Sequence, residues 1–348
     1  MLKKRWSYTS IYEKRQFSFV VFIISSAVLL EFILLGAVTE FVYHSIDIYL
    51  SRATEETSVV YRLFSSMPEA EIHALLRNLT SALVLWVSFS ISCAALILFL
   101  RKVKTKADIN IGNRVSFRFK MPENALMLML LGLAIMYMFG SVSIVFDATL
   151  GLFGIGKHAF EGTPFFPQSG LGIFMYFFAL VISPAILEEF FCRYLILNAL
   201  RKYGDGFAIT VSSVFFGLLH GRTDAFFFAT AAGFFLAYFA IKTKSIWFPI
   251  ILHAFVNFMA LFWHFMADFM YSEALFSFIS FSFWTVLFGV SIIYIIVLIV
   301  KKKDLSLPKR RDYIHISTGR KWFVFFNVAT IIFIIIALLQ SSFQYYIR

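Results

Sequence analysis

Glu188, Glu189 and Arg193 stand in the stretch PAILEEFFCRYLILNAL, residues 184–200, which is otherwise largely apolar. A charge in hydrocarbon is costly, so ionisable residues inside such a run mark a functional site by default. Glu189 and Arg193 are four residues apart, share one helical face and are placed to pair. Glu188 is turned by about 100° from Glu189 and needs another partner. This asymmetry assigns Glu189 and Arg193 to mutual neutralisation and leaves Glu188 for chemistry. A buried ion network without chemistry also fits the three residues.

Two further polar groups fall inside apolar runs. In FFGLLHG, Phe216 and His220 share a helical face, and in LHAFVNF, His253 and Asn257 do the same. A single intramembrane His or Asn also serves as interhelical glue. Depth brings the groups together. At 1.5 Å per residue, Glu188 and His220 each lie about 20 Å from the nearest basic end of their runs, and His253 and Asn257 about 12 and 18 Å. One layer therefore holds all four. A carboxylate and an imidazole can jointly deprotonate a water. A second imidazole with an amide can supply donors to an oxyanion. Together they describe a hydrolase of amide bonds. Two Glu and two His can also ligate zinc. The metal-free reading is preferred, because no HExxH occurs and the ligands would come from three helices. Cys93 and Cys192 are too few for a disulfide framework or thiolate cluster and read as packing residues. Arg222 and Asp224 read as a loop after His220. His264 reads as interfacial. Glu31 stands alone in the first run, either packed or paired with a partner.

The elements that must position these residues are membrane spans. The chain has 348 residues, of which 60% are hydrophobic and 19% aromatic. Its mean hydropathy is +0.81. A soluble domain is nearer half apolar, so the composition describes a polytopic membrane protein. Nine apolar runs approach the length of a span: 17–38, 80–100, 124–148, 171–200, 207–221, 225–241, 246–266, 279–300 and 322–340. Pro184 predicts a kink or a break in the fourth. The fifth is short and is expected to end inside the protein. The net charge of +11 is gathered at run ends, as in RKVKTK (101–106) and KKKDLSLPKRR (301–311). Such basic loops face the cytoplasm, and with the N-terminus inside, all of them do. This orients the chain in a cell membrane and removes nucleic acid as the partner of its charge. Residues 1–16 precede an uncleaved first span in this reading, and 56–78 form a loop helix or an amphipathic surface helix.

Glu188-Glu189-x-x-x-Arg193, Phe216-x-x-x-His220 and His253-x-x-x-Asn257, in this order and each on a span, resemble the motifs of the CPBP family. These are the CAAX proteases and bacteriocin-processing enzymes, or Abi family, with the type II CAAX prenyl endopeptidases among them. The resemblance covers about 170–260. It implies an all-α polytopic helix bundle of about eight or nine spans with a polar cavity open to the cytoplasm. It implies an intramembrane glutamate endopeptidase in which Glu188 activates water together with His220. His253 and Asn257 would form the oxyanion hole, and Glu189 and Arg193 would support the site. No cofactor is implied. The expected partners are the lipid bilayer and a membrane-associated peptide or protein, lipidated or bacteriocin-like. A catalytic core at 169–266 would lie between N-terminal spans (1–168) and C-terminal spans (267–348). A non-catalytic membrane regulator that retains the scaffold is the alternative. A transporter using Glu188 and His220 as a proton relay is a third possibility, disfavoured by the lack of an inverted repeat.

Overall fold

A computed structural model describes residues 11–52, 67–102, 114–157, 166–270, 272–308 and 314–347. Apolar side chains that cannot be hydrated, and backbone groups that lipid cannot satisfy, leave helices as the solution for most of this chain. The helices are α1 (Ile11–Arg52), α2 (Glu69–Lys102), α3 (Ala125–Leu152), α4 (Gly170–Arg201), α5 (Asp205–Leu219), α6 (Thr223–Thr243), α7 (Trp247–Phe269), α8 (Glu273–Val300), α9 (Thr318–Phe325) and α10 (Val328–Ser342). Two three-residue strands, β1 (Ile155–Lys157) and β2 (Tyr345–Ile347), pair antiparallel and qualify the all-helical expectation.

Among the described residues, seven helices are long and apolar enough to cross a membrane, or eight if α9 and α10 form one broken span. The nine apolar runs thus contract. The run at 207–221 becomes α5, whose 15 residues reach about 22 Å, short of a 30 Å hydrocarbon core. The run at 322–340 bends by 59° between α9 and α10. There the Asn327 side chain accepts from Thr330 N–H and starts a new helix. The surface helix expected within 56–78 is also revised. Residues 53–66 lie outside the described ones, and α2 begins at Glu69 and runs on through the apolar segment.

Pro184 does not break α4. The helix continues through two π-helical stretches, Phe178–Ile182 and Phe190–Leu197. Pro184 has no N–H to donate, and the first wide stretch lies just before it. The second follows Glu189 directly and contains Arg193. π-Turns of this kind concentrate at functional sites.

α5 and α6 form a tight hairpin at the centre of the bundle, with α3 against α6 and α10 against α1. Small residues permit the close approach, as in other membrane helix pairs. A β-carbon added at Gly233 of α6 would lie 2.8 Å from the Ser213 Cα of α5. α8 lies at the periphery. It buries Leu287, Ser291 and Tyr294, while Ile292, Ile293 and Ile299 remain exposed.

Polar contacts gather the connections at two ends. At one, Lys242 Nζ donates to the carbonyls of Asp304 (2.9 Å) and Ser306 (2.5 Å). Ser116 bridges to the segment at Lys244–Ile246, and Ile314 N–H donates to the Lys202 carbonyl. At the other, Glu71 accepts from the amides of Gln168 and Ser169 at the start of α4. The first set thus joins the segments around Ser116, Lys202, Lys242, Ile246, Asp304 and Ile314 at one end of the bundle.

Candidate functional site

α4 carries the charged triplet into the bundle. Glu189 and Arg193 are fully buried, with Arg193 NH1 3.1 Å from Glu189 Oε1. The expected i,i+4 pair is present. The guanidinium also lies over the Phe216 ring, 4.3 Å from its centroid, an interaction strengthened by desolvation. Phe216 in turn presents its ring to both imidazoles, at 5.1 Å from His220 and 5.6 Å from His253, near perpendicular in each case. The sequence placed Phe216 on the His220 face but gave it no role. Here it packs against the guanidinium and both imidazoles.

α7 supplies His253, which is buried. Its Nδ1 lies 3.0 Å from Glu189 Oε1. A carboxylate only accepts, so this bond puts a proton on Nδ1 and leaves Nε2 for the site. Nε2 is 3.9 Å from Glu188 Oε2. Glu188 retains a side-chain exposure of 17%, and its Oε2 has no hydrogen-bond partner. Glu188 and Glu189 thus flank one imidazole, and only Glu189 is consumed by ion pairing.

His220 is the C-cap residue of α5. Its Nδ1 meets the Phe216 carbonyl at 2.9 Å, which again assigns the proton to Nδ1 and leaves Nε2 as an acceptor. Neither a hydrogen bond nor an ion pair joins His220 to Glu188. The imidazole nearest Glu188 is that of His253. His220, His253, Asn257 and Phe216 line one cavity of about 30 Å³ together with Met136 and the small-residue face of α6, space for one or two waters. Of the four residues that helix counting put in one layer, His220, His253 and Asn257 line this cavity, while Glu188 lies outside its lining and approaches the group through His253.

Other polar residues fall elsewhere. Arg222 and Asp224 pair with each other in the turn after α5, at 3.0 and 2.6 Å. His264 sits 3.8 Å from Asp268 near the end of α7. Glu31 has a partner, since it accepts from Ser88 Oγ of α2 at 2.8 Å. Cys93 and Cys192 are buried free thiols. Among the described residues no three His, Cys, Asp or Glu side chains are grouped to hold a metal ion.

Residues 170–259 match the family model described as Rce1-like, type II CAAX prenyl endopeptidase. Over 190 residues the chain is 28% identical to "Putative membrane peptidase YdiL" of Bacillus subtilis, a stretch covering 52% of this chain and 71% of that protein. No solved structure matches. The matched segment contains all three polar motifs and the elements that bring them together, so the part of this multi-pass membrane protein that resembles the Rce1-like type II CAAX prenyl endopeptidases is the part that builds the site.

Proposed function

We propose that the chain is an intramembrane endopeptidase that hydrolyses a peptide bond of a membrane-associated substrate, with Glu188 as the general base. One observation carries the reading. A carboxylate oxygen without a hydrogen-bond partner, Glu188 Oε2, stands 3.9 Å from an imidazole nitrogen whose ring is held by a second carboxylate. Glu188 Oε2 is itself shielded, and a rotation of its side chain, 17% exposed, would let one water reach both atoms.

In the proposed reaction Glu188 takes a proton from the water as its oxygen attacks the scissile carbonyl. His220 Nε2, kept as an acceptor by the bond at Nδ1, is the second base for the same water. The tetrahedral oxyanion is met by Asn257 Nδ2–H and by His253 as a donor from Nε2. The proton on Glu188 then passes to the leaving nitrogen as the C–N bond breaks. Glu189 and Arg193 act by positioning, Glu189 by fixing His253 and Arg193 by balancing Glu189. The reaction uses no metal. The substrate is a peptide that reaches a buried layer, lipidated or bacteriocin-like in class, and the N-terminus of the chain is cytoplasmic.

Glu188→Gln and His220→Ala are each expected to abolish cleavage in membranes while the protein accumulates normally. Comparing membrane peptides from cells carrying the unaltered chain and Glu188→Gln identifies the substrate. Full cleavage by both variants would sink the assignment. Activity is further expected to persist in a chelator. Loss on chelation, reversed by added zinc, would replace this mechanism with a metal-dependent one.

A further inference from the structure

His220 ends a helix only 15 residues long and opens a three-residue turn. Gly221 reverses the chain with φ of +60°, in the left-handed region, and Arg222 leads into α6. The ring itself is tied only to its own helix, through Phe216. Besides the Arg222–Asp224 pair and its own backbone bonds, the turn is tied by residues outside 170–259. A β-carbon at Gly221 would stand 3.0 Å from the side-chain amide of Gln340 on α10. The hydroxyls of Thr223 and Ser341 are hydrogen-bonded.

A second tie runs through charge. Lys157 Nζ of β1 lies 2.9 Å from Asp147 Oδ2 of α3 and 3.7 Å from Asp224 Oδ2 beside the turn. Tyr345 O–H of β2 donates to Asp147 Oδ1 at 2.6 Å. The β1–β2 pairing, Lys157 opposite Tyr345, sets the two donors side by side. Burial first, and then the bond to Asp147, push the Tyr345 phenol up to about 12, so the hydroxyl remains a donor throughout the neutral range.

We propose that Gln340, Ser341 and Tyr345 are positioning residues for His220, forming a C-terminal brace on the α5–α6 turn. The inference rests on His220 belonging to the site proposed above. Bases and nucleophiles must be held closely, and a displacement of about 1 Å costs on the order of a hundredfold in rate. α10 and β2 lie beyond the matched family segment, so the brace is an addition by which this chain controls a residue of that segment. None of the three brace residues lines the small cavity beside His220, and their loss is expected to act on the turnover step.

The test combines Ser341→Ala, Tyr345→Phe and a Thr223→Cys/Ser341→Cys pair in the full-length chain. The single variants are expected to lower kcat about ten- to a hundredfold with KM unchanged. The cysteine pair is expected to be slow when reduced and to recover when oxidation joins the two thiols. Modification of His220 by diethyl pyrocarbonate, followed by mass spectrometry, is expected to accelerate severalfold in the single variants and in the reduced pair. Unchanged kcat with unchanged modification overturns the brace, as does a rise in KM alone. If the single variants fail to accumulate, the cysteine pair decides, and equal activity and equal modification in its two redox states overturn the proposal. If the unaltered chain cleaves nothing, the peptidase reading fails by itself, and the modification rates still judge the brace.

Discussion

Removing the Glu189 carboxylate strips a partner from two groups at once. Arg193 becomes a buried guanidinium without a counter-ion, and His253 Nδ1 loses its acceptor. Breaking a buried pair from one side costs about 3–5 kcal/mol, so Glu189→Gln is expected to lower the thermal midpoint in detergent sharply. Glu189→Gln combined with Arg193→Met removes the orphaned charge and should recover most of that stability. Cleavage should stay depressed by about a hundredfold, because the amide oxygen that replaces the carboxylate is an uncharged and weaker acceptor for His253 Nδ1–H. Recovery of both together would show that Glu189 serves only the fold. The i,i+4 pair was legible in the sequence because one helix determines its geometry. The Glu189–His253 bond was not, since it depends on which helices are neighbours, and helix counting fixes depth without fixing order around the bundle.

At the scale of elements, the α5–α6 hairpin and its packing on α3 rest on glycines at different kinds of contact. At Gly233 the obstacle to a β-carbon is Ser213 backbone, at 2.8 Å from its Cα. At Gly132 it is the rim of the Phe235 ring, also at 2.8 Å. A ring can rotate and a backbone must translate. Gly233→Ala is therefore expected to cost about 2–3 kcal/mol and Gly132→Ala about 1 or less, read from unfolding in detergent. Equal costs would mean that the hairpin slides freely. The apolar runs themselves were legible, including the short one at 207–221. The π-helical course of α4 was not, because Pro184 announces a disturbance in the ladder without saying whether the helix breaks or widens. β1 and β2 left no trace either, as three residues each are too few for a period.

At the scale of the whole molecule, the polar contacts divide the connections into two sets. Single cysteines at positions 242 and 303 are expected to react with an impermeant thiol reagent from one side of the membrane, and those at 157 and 222 from the other. Cys93 and Cys192 are buried and should stay silent as background. With the N-terminus cytoplasmic, 242 and 303 label from the cytoplasmic side. Reaction of 157 and 242 from the same face would overturn the alternation. The placement of Lys and Arg in the sequence predicts the same division, because the positive-inside bias acts on loops one at a time.

The ribbon between Ile155–Lys157 and Tyr345–Ile347 joins segments that leave the ribosome at very different times. By then α4 to α7, with both histidines and both glutamates, have already been made. The turn after His220 gains its outer ties only when residues 340–345 emerge. A chain cut short before them holds every motif residue yet lacks the ties, so synthesis itself orders the making of the site ahead of its bracing.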